Sequence, residues 1–145
     1  MIKKTDLDIY PYHLWFGLYS DEDTALKKFK FFATVDDMNE DTPVIGVNDL
    51  SLASGMAATY CVREAKNSSK GVLILFNDED VNTSYKGLFD VVSHESGHAA
   101  DIIWQSIIGI GGKDDFDSKS KNEPYMYLLG TIAGAFGSYL MELRK

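Results

Sequence analysis

An α+β domain, in which an antiparallel or mixed β-sheet packs against two helices, is predicted by three observations. β-Prone runs cluster in residues 44–82, apolar residues at helical spacing dominate 83–109, and a long, almost uncharged stretch fills 123–143. At 145 residues, with 45% hydrophobic and 25% charged side chains, the chain reads as one domain with a core of its own.

Residues 1–43 read as an accessory strand and helix. Ile9, Tyr10, Tyr12, Leu14, Trp15, Phe16 and Tyr19 suit a strand over 7–19 that is interrupted near Pro11. Ser20-Asp21-Glu22-Asp23 then offers a capped, acidic helix start for residues 24–33, with Leu26, Phe29 and Phe32 or Ala33 facing inward. Polar residues 36–43 read as a flexible connection. In the sheet region, residues 56–64 and 71–76 are strands joined by the turn-like Lys66-Asn67-Ser68-Ser69-Lys70. The acidic residues 77–82 lack the glycine and bidentate glutamate of a helix-loop-helix calcium site and read as a solvated loop. Glycines at 109, 111 and 112 end the first long helix and open a crossing to the second, a candidate lid. The last helix carries Gly130, Gly134 and Ser138 at a spacing of four and reads as buried; its uncharged core is too short to span a bilayer.

Composition excludes some functions. A formal charge of −8 and only two arginines, Arg63 and Arg144, argue against nucleic-acid binding, which needs clustered cations for phosphate. The single cysteine, Cys61, allows no disulfide within the chain and reads as a small buried residue. Met1-Ile2-Lys3-Lys4-Thr5-Asp6 is not followed by the apolar stretch of a signal peptide, so a cytoplasmic protein is expected, or a virion-associated one if phage-encoded.

Chemistry concentrates in Val91-Val92-Ser93-His94-Glu95-Ser96-Gly97-His98-Ala99-Ala100-Asp101, which holds two of the three histidines. On a helix, four residues advance about 6 Å and a little over one turn, so both imidazoles leave one face and can grip one metal ion. Leu88, Val91, Val92, Ile102, Ile103, Ile107 and Ile108 surround them at helical spacing. A third candidate ligand, Glu123, follows in Asn122-Glu123-Pro124. Two imidazoles and a carboxylate suit zinc, although iron, cobalt, nickel or manganese accept the same donors. Ser120-x-x-Glu123 also fits a capping box, with Pro124 in the first helical turn.

His94, Glu95, His98 and the downstream Asn122-Glu123 resemble the gluzincin branch of zinc metallopeptidases, over roughly residues 71–142. The organisation is similar to small phage and bacterial proteins with a minimal zincin core. The metzincin extension is absent, since no histidine follows position 98. The resemblance implies a zincin-like domain with zinc on His94, His98 and Glu123, a zinc-activated water that attacks a peptide bond, and Glu95 as general base. It further implies that the strand of residues 72–76 lies along the cleft and offers a free edge to an extended peptide or protein substrate. Tyr127, His13 and Tyr85 are candidates to stabilise the oxyanion; Asp101 and Asn122 are candidates to orient a ligand. Two alternatives stand beside this reading. One is a catalytically inactive zincin-fold structural or partner-binding protein of phage origin; the other is a membrane-associated interaction protein using the last helix.

Overall fold

Among the described residues five strands and four α-helices form the α+β fold. The computed structural model describes residues 1–7, 12–44, 52–108 and 119–144, without the side chains of 107, 108 and 119–123. Strands β1 (Lys3–Asp6), β2 (His13–Leu18), β3 (Phe29–Phe32), β4 (Ala57–Glu64) and β5 (Lys70–Phe76) make one mixed sheet in the order β1-β2-β5-β4-β3. Only the β2–β5 pair is parallel. Helices α1 (Glu22–Lys28) and α2 (Val35–Asn39) are short; α3 (Tyr85–Ile108) and α4 (Lys119–Leu143) are long.

The continuous apolar run of β5 is explained by its place at the centre, where both faces are buried. Val72, Ile74 and Phe76 belong to the core shared with Leu88, Val92, Ile103, Leu128, Ile132 and Phe136 of the long helices. Leu73 and Leu75 belong to a second core with Trp15, Ala25, Phe29, Phe31 and Val62 on the opposite face. The expectation that residues 72–76 offer a free edge is therefore overturned: β2 pairs with one side of β5 and β4 with the other.

Three further expectations change. Phe29–Phe32, expected to continue a helix, forms β3 instead, because Phe29, Phe31 and Phe32 are buried and the run pairs with Cys61–Glu64. The first strand starts at Lys3 and pairs antiparallel with β2; residues 8–11, around Pro11, lie outside the described residues. Residues 35–39 form α2, whose start is capped by Thr34 Oγ1 accepting from the Asp37 N–H at 3.0 Å. The β4–β5 hairpin agrees with the sequence, as does the solvated character of 78–80, a 3-10 turn capped by the Asn77 side chain.

α3 lies close to the sheet because its inward face carries small residues: Ser96, Ala99 and Ala100 are fully buried between Val92 and Ile103. α4 runs from Lys119, earlier than expected, so Ser120 lies within it and Pro124 sits past its first turn; the side chains of the capping-box pair, Ser120 and Glu123, lie outside the described residues. Nor is α4 buried all round. Leu128, Ile132, Phe136, Tyr139 and Leu140 face inward, whereas Met126, Tyr127 and Met141 are exposed. A Cβ added at Gly130, Gly134 or Gly137 meets nothing within 4 Å, so these small residues do not serve close helix packing. Among the described residues no helix is long and apolar enough to cross a membrane. Cys61 is buried, as expected, and burial pushes its thiol up to about 11.

Candidate functional site

The face of α3 that does not meet the core looks onto the first half of β4. Asp90, His94, His98 and Asp101 recur at helical spacing on this face, and Glu95 sits at its inner border, only 7% exposed. Together with Ser54, Met56, Ala57, Ala58 and Thr59 these residues line a cleft of two lobes, about 560 and 380 Å³, that share Ala57, His94 and Glu95. The histidines are exposed to the cleft while the carboxylate between them is held at its floor.

The imidazoles converge. His94 Nε2 and His98 Nε2 are 3.1 Å apart, and the rings meet nearly edge-on, 83° between planes. Two nitrogens at ordinary zinc distances on a tetrahedral ion stand about 3.3 Å apart. The pair therefore fits zinc with a shift of a few tenths of an ångström; without metal, one neutral ring donates to the other. Among the described residues no three His, Cys, Asp or Glu side chains converge on one point. Glu123 and Asn122 have their backbones in α4, and their side chains lie outside the described residues. The first turns of α4 are nevertheless tied to α3 near the cleft, since the Tyr125 hydroxyl donates to Asp101 Oδ1 at 2.6 Å. Burial pushes that phenol up, and the hydrogen bond and charge of Asp101 add to it.

Glu95 has a partner across the cleft. Thr59 Oγ1, on β4, donates to Glu95 Oε2 at 2.5 Å. The same hydroxyl stands 3.5 Å from the Glu95 carbonyl oxygen, so the carboxylate takes the proton.

The opposite wall is a strand edge. β3 pairs only with Cys61–Glu64, so among the described residues nothing pairs with Ala57–Tyr60 on the side away from β5. Hydrogen bonds fix which groups face outward. Glu64 exchanges bonds with Ser68 and Ser69, and Met56 O accepts from Asn77 N, so even-numbered residues of β4 bond toward β5. Ala65 N donates to Lys28 O on the other side. The register from Ala57 to Arg63 is unbroken, so the N–H and C=O of Ala57 and Thr59 point to the open edge.

Residues 52–54, at the rim, are clamped from below. The Tyr19 hydroxyl donates to Ser54 O at 2.6 Å and accepts from Ser54 N at 3.0 Å. The Tyr60 hydroxyl donates to Leu52 O, and Glu22 accepts from Leu52 N. Burial pushes Tyr60 up to about 12, with Tyr19, Glu22 and Glu95 adding, so it remains a donor at neutral pH.

Other sequence candidates stand elsewhere. His13 lies beside Trp15 on β2, away from the cleft, and its Nδ1 pairs with Asp6 at 2.6 Å. Tyr127 is 73% exposed and lines neither lobe. Tyr85 stacks on Phe89 at the start of α3, under the Arg144 guanidinium. None of the three reaches the site, so the oxyanion expectation finds no support in them. Asp101 does line the cleft. The candidate lid, 109–117, lies outside the described residues. Sequence reasoning missed Thr59, Ala57 and Tyr125; no motif marks them, because each acts through a contact between distant elements.

Charge at the cleft is one-sided. Among the described residues Asp90, Glu95 and Asp101 line it and no lysine or arginine does, a lining that disfavours polyanions such as nucleic acid. In comparison with protein-family models, curated proteins and solved structures, the chain matches none.

Proposed function

We propose that the protein is a zinc metallopeptidase of zincin type, acting on extended peptide segments, with His94, His98 and Glu123 as metal ligands and Glu95 as general base. The observation that carries the reading is the convergence of His94 Nε2 and His98 Nε2 to 3.1 Å beside a buried carboxylate and an open strand edge. Bound zinc would supply Lewis acidity, making a water acidic and polarising the peptide carbonyl. The outward main-chain groups of Ala57 and Thr59 hold a substrate backbone in the manner of an added strand, which gives recognition tolerant of sequence. Glu95 takes the proton of the attacking water and delivers it to the leaving amine. Its burial keeps bulk water from competing for that proton, and Thr59 occupies one oxygen while the other is left to the reaction.

Chelation tests the reading. Protein loaded with zinc is expected to hydrolyse dye-labelled, unstructured casein, to lose that activity on treatment with a chelator, and to recover it when zinc is restored. Turnover that survives complete removal of metal contradicts a metallopeptidase. A zinc-loaded protein without turnover leaves the fold as a binding domain.

A further inference from the structure

We propose that Thr59 is a positioning residue for the general base, a role that rests on the metallopeptidase reading above. The hydroxyl of Thr59 reaches across from β4 to Glu95 Oε2 at 2.5 Å, over a separation of 36 residues in the chain. Nothing else among the described residues bonds to the Glu95 carboxylate. A glutamate side chain has three rotatable bonds, and a buried carboxylate with no fixed donor would sample rotamers that point away from the cleft. The Thr59 hydroxyl removes that freedom. It anchors one oxygen at the floor of the cleft, and the second oxygen is aimed by the geometry of the first.

Thr59 is also one of the two residues whose main-chain groups face the open edge. The residue that receives substrate backbone is thus the residue that holds the base, so the distance from a bound peptide to Glu95 is set within a single amino acid. A one-residue slip in β4 would break both functions at once. Threonine suits the position twice over, since its branched Cβ favours a strand and its hydroxyl is short enough to be stiff.

Thr59→Val and Thr59→Ser test the role. Valine keeps size and strand preference and deletes the hydroxyl; serine keeps the hydroxyl. On dye-labelled casein, with zinc loaded, Thr59→Val is expected to lower kcat tenfold or more with KM within about twofold of wild type, and Thr59→Ser to restore most of kcat, since a hydrogen bond to a charged group is worth one to two decades in rate. Zinc content is expected to stay near the wild-type value in both; the urea midpoint is expected to fall in Thr59→Val, which leaves the buried carboxylate without its donor, and to stay near wild type in Thr59→Ser. Unchanged kcat in Thr59→Val, or equal losses in valine and serine, overturns the role. Independently of activity, Thr59→Val and Glu95→Ala, singly and together, are expected to couple about fivefold or more in the unfolding equilibrium of the metal-free protein. A multiplicative cycle overturns the contact itself. Wild type without turnover overturns the metallopeptidase reading, and the positioning role with it, whereas active wild type with an indifferent valine variant overturns the positioning role alone.

Discussion

Glu95→Gln is expected to reduce hydrolysis of unstructured casein by about three orders of magnitude while leaving metal content and fold unchanged, within the range measured for removal of a general acid or base. Glutamine has the same shape, fills the same site at the floor of the cleft, and still presents an oxygen to the Thr59 hydroxyl. What it lacks is the capacity to take a proton. The loss should therefore appear in kcat, with little change in KM, because the proposed peptide-binding element is the β4 edge and not the carboxylate. Equal turnover by the two forms, at equal zinc, removes Glu95 from the mechanism.

Gly71→Ala is expected to destabilise the fold by about 3 kcal/mol, the upper end for forcing extra volume into a packed interior. Two effects compete. Replacing glycine in a strand by alanine ordinarily gains roughly 0.5–1 kcal/mol through the unfolded chain. Against this, a Cβ at Gly71 would lie 3.0 Å from the His13 carbonyl carbon and closer still to its oxygen and to the Trp15 ring. The obstacle is backbone, from the strand that pairs in register as His13↔Gly71, and it cannot rotate away. The clash wins. Urea unfolding measures the change; an alanine variant as stable as wild type would mean that β2 does not lie against β5 in this register. The site depends on that pairing, because β5 sets the position of β4, and β4 carries Thr59.

What the sequence made legible was whatever a local period dictates. His94 and His98 share a face because four residues make about one helical turn, and no tertiary information is needed to know it. The β4–β5 hairpin was equally local: two β-prone runs and a polar turn between them. The aromatic run Phe29–Phe32 could not be read in the same way, because four residues are too few to show a period and only the partner strand, Cys61–Glu64, makes them extended. The apolar run 72–76 was rightly a strand and wrongly an edge, since composition reports burial on two faces but not which neighbours bond to its sides. Small residues on α4 suggested close packing and instead lie open, because spacing alone does not say which face of a helix meets the core. For the site, the motif gave the converging histidine pair and the buried glutamate beside it. Thr59 was invisible, being 36 residues from Glu95 and an ordinary strand residue by type. His13 was a candidate only for its chemistry, and the pleat of β2 places it beside Trp15, away from the cleft.

The central claim, a metal held by the paired histidines and completed from α4, is tested most directly by elemental analysis of protein purified without a histidine tag. Wild type, His94→Ala and Glu123→Ala should be compared after equilibration with zinc. The account predicts about one zinc per chain in wild type and its loss in both variants, as removal of one of three ligands demands. Loss in His94→Ala alone would keep the imidazole pair and exclude Glu123 as the third ligand. A wild-type protein that neither carries zinc nor takes it up would contradict the account.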